Sequence, residues 1–159
     1  MNLKIMSLVK SLLHNLLVLV VGFAVALLGT KIDAWLAMPR FMSVPATIAG
    51  CLCLAAGFLI RVWSACLFYA HSMKVISLEA QNTLLTSGPY AFSRNPLYLG
   101  GNVFIFLGAS LLLGSPSGIG ITLLHLPLID LFIRREERQL EEKFGQQWRD
   151  YKARVRRWI

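Results

Sequence analysis

Residues Thr86–Gly101 read TSGPYAFSRNPLYLGG. Gly88-Pro89 marks a tight turn, since Gly tolerates a left-handed backbone and Pro pre-sets φ. Asn95-Pro96 then opens a helix. Asn is a favoured N-cap, and Pro in the first turn gives up an N–H that would lack a partner anyway. The chain stays apolar from there to Leu113. A turn carrying Tyr90, Arg94 and Tyr98 therefore sits at the mouth of an apolar helix, and this decides the fold class. The chain reads as a lipid-solvated helical body with a charged, aromatic rim.

The composition agrees. The 159 residues suffice for one domain, 1–159, with 56% apolar and only 15% charged residues. A soluble domain carries about 25% charged residues. Sixteen Lys and Arg against eight Asp and Glu give a formal +8. In a membrane chain that excess is topology and lipid attraction, so no nucleic-acid partner is expected. Cys51, Cys53 and Cys66 lie in or beside an apolar run, and the first two point to different helix faces. They suggest neither a disulfide framework nor a metal site.

A membrane span needs ~20 mostly apolar residues. Four segments qualify: 11–29, 44–63, 97–113 and 117–133. The first is long for a signal-peptide core and no clear cleavage site follows it, so it is expected to be retained. The second starts with Pro45 and is expected to continue as helix toward Tyr69. The last two form a hairpin across the turn GSPS.

Four spans put both termini and the loop 64–96 on one side. That side collects Lys4, Lys10, Lys74, Arg94 and nine Lys/Arg after Ile133, whereas the other holds only Lys31 and Arg40. The positive side is expected to be cytoplasmic, as in a bacterial-type inner membrane. In the tail 134–159, Leu140, Phe144, Trp148, Tyr151 and Val155 recur at spacings of 4, 4, 3 and 4, one helical stripe that Gly145 interrupts. The part after Gly145 reads as an amphipathic helix lying at the membrane interface.

Hairpin pairing brings Tyr90, Arg94, Asn95 and Tyr98 near Asp130, Arg134, Arg135, Glu136 and Glu137. By residue type alone this is either an interfacial salt-bridge cluster or a site for a charged ligand. Arg61, near the end of the second span, reads mainly as a snorkelling cation, with a site contact as the alternative. No role is assigned to His14, His71 or His125.

The run TLLTSGPYAFSRNPLYLGG, followed about forty residues later by RREERQLEEKFGQQWRDYKARVRRWI, resembles the isoprenylcysteine carboxyl methyltransferase family. That family belongs to a group of integral-membrane methyltransferases that includes the phospholipid N-methyltransferases. The resemblance covers about Asn82 to Ile159, half the chain. It implies an all-α membrane fold without a Rossmann domain, and S-adenosylmethionine as cofactor, with S-adenosylhomocysteine as product. It implies cofactor contacts at Asn82, Thr83, Leu84, Leu85, Tyr90, Asn95, Pro96, Leu97, Tyr98 and Glu136, with Glu137 the nearby alternative.

Two departures stand out. Asn95 replaces the His of the isoprenylcysteine enzymes, and Phe132 falls where they carry an Arg linked to the substrate carboxylate. Arg135 lies one turn further on, nearly on the same face. A carboxylate acceptor needs a cation such as Arg135, Arg134 or Arg94 to position it. An amine acceptor needs a base, Glu137 or Glu136. The expected acceptor is a lipidated or small hydrophobic molecule reached from the membrane lipid, with a phospholipid or other lipid amine as the second possibility. A non-catalytic scaffold acting through its basic tail is the third. No sequence feature sets the oligomeric state.

Overall fold

The apolar runs become helices because lipid offers the backbone no hydrogen-bond partner, so each segment has to satisfy its own N–H and C=O groups. The structure, a computed structural model, describes residues 3–71, 73 and 83–159. Helix α1 runs Leu3–Trp35 and α2 runs Val44–Ala70. Helix α3 is Pro96–Leu112, α4 is Pro116–Phe144 and α5 is Gln146–Arg154. No strand occurs among the described residues.

Helices α1, α2 and α4 are each long and apolar enough to cross a membrane. Helix α3 is shorter, reaching about 25 Å at 1.5 Å per residue against a hydrocarbon core of ~30 Å. The four expected spans thus appear as three long helices and one short one. Helix α1 exceeds 11–29 at both ends, and α2 passes 63 as far as Ala70. Helix α4 does not stop at 133. It continues unbroken to Phe144 and ends at Gly145, whose φ is +52°. Nothing in RREERQLEEK breaks a helix, so the charged stretch extends α4 beyond its apolar part.

The body is inverted relative to a soluble protein. Its buried side chains include Ser11, Asn15, Asp33, Ser64, Ser110 and Thr122, while Leu13, Val20, Leu59 and Leu124 stand exposed. Lipid can cover those leucines, and the small polar groups let helices approach and bond to each other. Glycines set the closest crossings. A Cβ on Gly57 would lie 2.6 Å from the Gly100 carbonyl oxygen, and one on Gly50 would lie 2.9 Å from that of Gly108. A Cβ on Gly29 would collide with the backbone of Gly118. Gly29→Val therefore forces α1 away from α4. We expect it to destabilise the bundle by about 1–3 kcal/mol, read as a lowered Tm in detergent.

The two ends of the bundle differ. At the far end Asp33 of α1 accepts from the Ser115 hydroxyl (2.5 Å) and the Ser117 N–H (2.8 Å), so a carboxylate sits on the N-terminus of α4. Arg40 donates to the Leu113 carbonyl there at 2.9 and 2.6 Å. The near end gathers the start of α1, the end of α2, the loop 83–95 and the polar half of α4. Helix α3 enters it through a widened π-type segment, Leu99–Ile105, with Gly100 and Gly101 buried. Such segments often mark functional sites.

Candidate active site

A cavity of about 720 Å³ opens at the near end. It lies within the range of small-molecule sites, roughly 300–1,000 Å³. Thr83, Leu84, Leu85, Tyr90, Arg94, Asn95, Pro96, Leu97, Tyr98, Arg135, Glu136 and Glu137 all line it. Asn82 lies outside the described residues. Segments separated by some forty residues in sequence therefore share one cavity, as the hairpin requires.

The wall is built from charge pairs. Arg94 Nη2 and Glu137 Oε1 are 3.0 Å apart, with both side chains buried. Arg157, from the extreme end of the chain, adds bonds to Glu137 Oε1 (3.1 Å) and Oε2 (2.7 Å), and reaches Asp130 at 3.0 Å. Arg134 completes the row on Asp130 at 2.7 Å. Glu137 is thus fully engaged, with both carboxylate oxygens bonded. Its neighbour Glu136 accepts, among the described residues, the Tyr98 hydroxyl alone, at 2.9 Å on Oε1. Arg94 keeps Nε and Nη1 buried without a hydrogen-bond partner, and its guanidinium sits 5.6 Å from the Trp148 ring centre. Arg135 is exposed at the rim, as is Phe132, which also lines the cavity.

The end of the chain closes one side. Trp148 and Tyr151 of α5 are each 2% exposed. The Tyr151 hydroxyl donates to the Tyr90 carbonyl at 2.7 Å, and Arg94 N–H donates to the Arg156 carbonyl at 3.0 Å. The aromatic stripe therefore turns toward the protein, which corrects its reading as a membrane-interface surface. The stripe itself was legible from its spacing, but its partner was not. Burial also raises the Tyr90 phenol well above its ordinary value, so it stays protonated at neutral pH.

Asn95 stands before Pro96 as expected, but its side chain does not cap α3. The Asn95 amide instead donates to the Arg157 carbonyl at 3.2 Å, while Ser93 Oγ accepts the Asn95 N–H at 3.1 Å. The departure from His thus falls on a residue that ties the turn to the tail. Asn95→Leu removes that tie and leaves the Arg157 carbonyl with the longer bond from Ser93 Oγ, at 3.3 Å. We expect a loss of about 0.5–1.5 kcal/mol, visible as a lowered Tm.

Arg61 is 6% exposed, so it does not snorkel. It donates from Nε to Asn15 Oδ1 at 2.8 Å and from Nη1 to the Leu97 carbonyl at 2.6 Å, and it lines the cavity with His14. Arg157 did not stand out in the sequence, and Trp148 was marked only as part of the tail's stripe. Arg157 is one of several basic residues near the end, and nothing local distinguishes the one that reaches Glu137.

The donors and acceptors present match S-adenosylmethionine in kind. Among the described residues, two buried guanidinium nitrogens of Arg94 lack partners, the Glu136 carboxylate has no cation bonded to it, and Phe68, Tyr90 and Trp148 offer aromatic faces.

Comparison with known proteins agrees with this geometry. An uncharacterised protein of Haemophilus influenzae is 41% identical over 58 residues, which is 36% of this chain and 92% of that one. No solved structure matches. A family model described as phospholipid methyltransferase matches residues 45–147, from the start of α2 through the loop 83–95 and all of α4. The match covers well over half of the sequence and the greater part of the cavity wall, and the chain belongs to the phospholipid methyltransferase family.

Proposed function

We propose that the protein is an S-adenosylmethionine-dependent methyltransferase acting on a lipidated or small hydrophobic acceptor at the membrane surface. The observation that carries this is the pairing, in one 720 Å³ cavity, of unpartnered Arg94 donors with a Glu136 carboxylate that has no cation bonded to it among the described residues. Those two groups suit the carboxylate and the ammonium of an amino-acid-bearing cofactor. The cofactor supplies a methyl group already activated by its sulfonium.

The protein's task is then alignment and exclusion of water. Arg94 would hold the cofactor carboxylate through Nε or Nη1, the guanidinium nitrogens without a partner, while its Nη2 stays on Glu137. Glu137, bonded by both Arg94 and Arg157, serves as the post that orients Arg94. Thr83, Leu84, Leu85, Pro96 and Leu97 give an apolar wall beside the aromatic faces of Tyr90 and Trp148. Arg135, exposed at the rim one turn from Phe132, is then the cation available to an acceptor carboxylate.

Phe132 in place of the family Arg favours a second reading, a phospholipid or other lipid amine as acceptor. Glu136 is then the carboxylate available to take the amine proton. The excess of Lys and Arg at the near end over Lys31 and Arg40 at the far end supports a cytoplasmic position for the cavity and both termini in this reading.

The test is transfer of labelled methyl from S-adenosylmethionine to prenylcysteine analogues and to phosphatidylethanolamine. We expect label in one of the two lipid products, and a loss of about a hundredfold in Glu136→Gln. A folded wild-type protein that labels neither acceptor nor any membrane lipid would refute the proposal.

A further inference from the structure

The apolar run 11–29 of α1 carries three polar side chains, Ser11, His14 and Asn15. Two of them hold helices together. The Ser11 hydroxyl donates to the Val62 carbonyl at 3.2 Å. Asn15 donates to Ser11 and accepts from Arg61 at 2.8 Å. His14 does neither. It is half-buried, lines the cavity, and makes no hydrogen bond among the described residues. A titratable side chain inside a membrane bundle is rare unless it has work to do. Helix α1 also precedes the stretch 45–147, so the family model does not reach this residue.

The charged and titratable groups on the elements packed against α1 are otherwise engaged. Arg61 of α2 is bonded to Asn15 and to the Leu97 carbonyl, and Tyr69 on the same helix offers only a phenol. Tyr98 of α3 donates to Glu136 of α4. Glu137 has both oxygens bonded by Arg94 and Arg157. Arg135 stands at the rim, and Lys10, one turn before His14 on α1 itself, is exposed. In the amine reading two tasks then fall on Glu136, to hold the donor's ammonium and to take the acceptor's proton. One carboxylate cannot do both at once. A neutral imidazole has a free nitrogen lone pair for the second task, and histidine is the commonest side chain in that role.

We propose that His14 is the catalytic base of the transfer, its imidazole taking a proton from an amine acceptor joined to an apolar chain. This rests on the methyltransferase reading of the cavity and, within it, on the amine acceptor. The acceptor's ammonium gives one proton to the imidazole. The nitrogen lone pair so freed forms the bond to the methyl carbon, while the carbon–sulfur bond breaks and its electron pair stays on sulfur. The imidazolium then passes its proton to water at the open mouth of the cavity. Glu136 is left to the donor's ammonium. A carboxylate acceptor has no proton to lose, so a working His14 also separates the amine reading from the prenylcysteine one.

The test begins with nitrogen NMR of the full chain, isotopically labelled at histidine, in an uncharged maltoside detergent. His71→Gln and His125→Gln assign two of the three imidazoles and leave His14, so the assignment does not depend on a His14 variant that folds. Dodecylamine should shift the His14 signal, because its N–H groups can bond to the imidazole nitrogen. Dodecyltrimethylammonium has the same charge and chain but no N–H, and should leave the signal in place. Equal shifts from both probes, or none from either, overturn the proposal.

Rates supply the second arm. With phosphatidylethanolamine as acceptor, His14→Gln should lose about a hundredfold or more in kcat while KM changes less than about twofold. Wild-type kcat should fall as the pH drops through the titration of His14 seen by NMR, since only the neutral imidazole accepts a proton. The His14→Gln profile should lack that fall. S-adenosylhomocysteine affinity should stay within about twofold in His14→Gln, which shows that the variant is folded with its donor site intact. An unchanged kcat in that variant overturns the proposal. A His14 response to dodecylamine alone, in a wild type that neither binds S-adenosylhomocysteine nor transfers methyl, would keep His14 as an amine site and sink the methyltransferase reading with its transfer step.

Discussion

Glu137→Ala is expected to destabilise the protein by about 3–5 kcal/mol. Glu137 is 6% exposed and is the shared partner of Arg94 and Arg157. Its removal leaves a buried guanidinium, Arg94, with no counter-charge. Arg157 keeps Asp130 at 3.0 Å and suffers less. The cost is that of an unpaired buried cation, so it should shrink when the cation also goes. Arg94→Leu combined with Glu137→Leu should lose less than the sum of the single changes. Thermal unfolding of the four proteins in one detergent measures this directly. Simple additivity would mean that the pair is not coupled. Binding of S-adenosylhomocysteine should fail in both singles, because either change frees or removes the Arg94 side chain.

Trp148→Ala is expected to cost about 3–5 kcal/mol and to weaken donor binding. Trp148 is 2% exposed, packs against Tyr151 at 5.6 Å between ring centres, and covers one face of Arg94. Its loss opens a void in the cavity wall and loosens α5, so the clasp from the Tyr151 hydroxyl to the Tyr90 carbonyl should slacken too. The outcome separates two roles for the tail. A tail that only anchors the chain to lipid would lose vesicle affinity on this substitution while keeping its Tm and its cavity. A tail that forms a wall loses Tm and ligand binding while remaining in the membrane. Thermal unfolding and flotation with vesicles distinguish the two.

Much of the architecture was legible because lipid imposes simple rules. Apolar length marked the helices, and Gly145 marked the break in the tail. The turn at Gly88-Pro89 and the hairpin at Ser115-Pro116 followed from backbone preferences. Hairpin pairing alone brought Arg94 and Tyr98 to the Glu pair, seen as the contacts Arg94–Glu137 and Tyr98–Glu136. What stayed hidden was three-dimensional choice among equivalent residues. The stripe Trp148–Tyr151 suits a bilayer surface or a protein wall equally well, and only the position of α5 decides. Arg61 has the sequence surroundings of a snorkelling cation. Its burial depends on Asn15 from α1 and on the two glycines of α3, none of them near it in sequence. Asn95 had a local role available as an N-cap and gave it up for a contact more than sixty residues away.

Calorimetric titration of S-adenosylhomocysteine into detergent-purified, monodisperse protein, with Glu136→Ala alongside, tests most directly whether this cavity is a methyl-donor site. Saturable binding to the wild type, weakened about tenfold or more by Glu136→Ala, is the expected result. No binding by folded wild-type protein, or binding indifferent to Glu136, would contradict it.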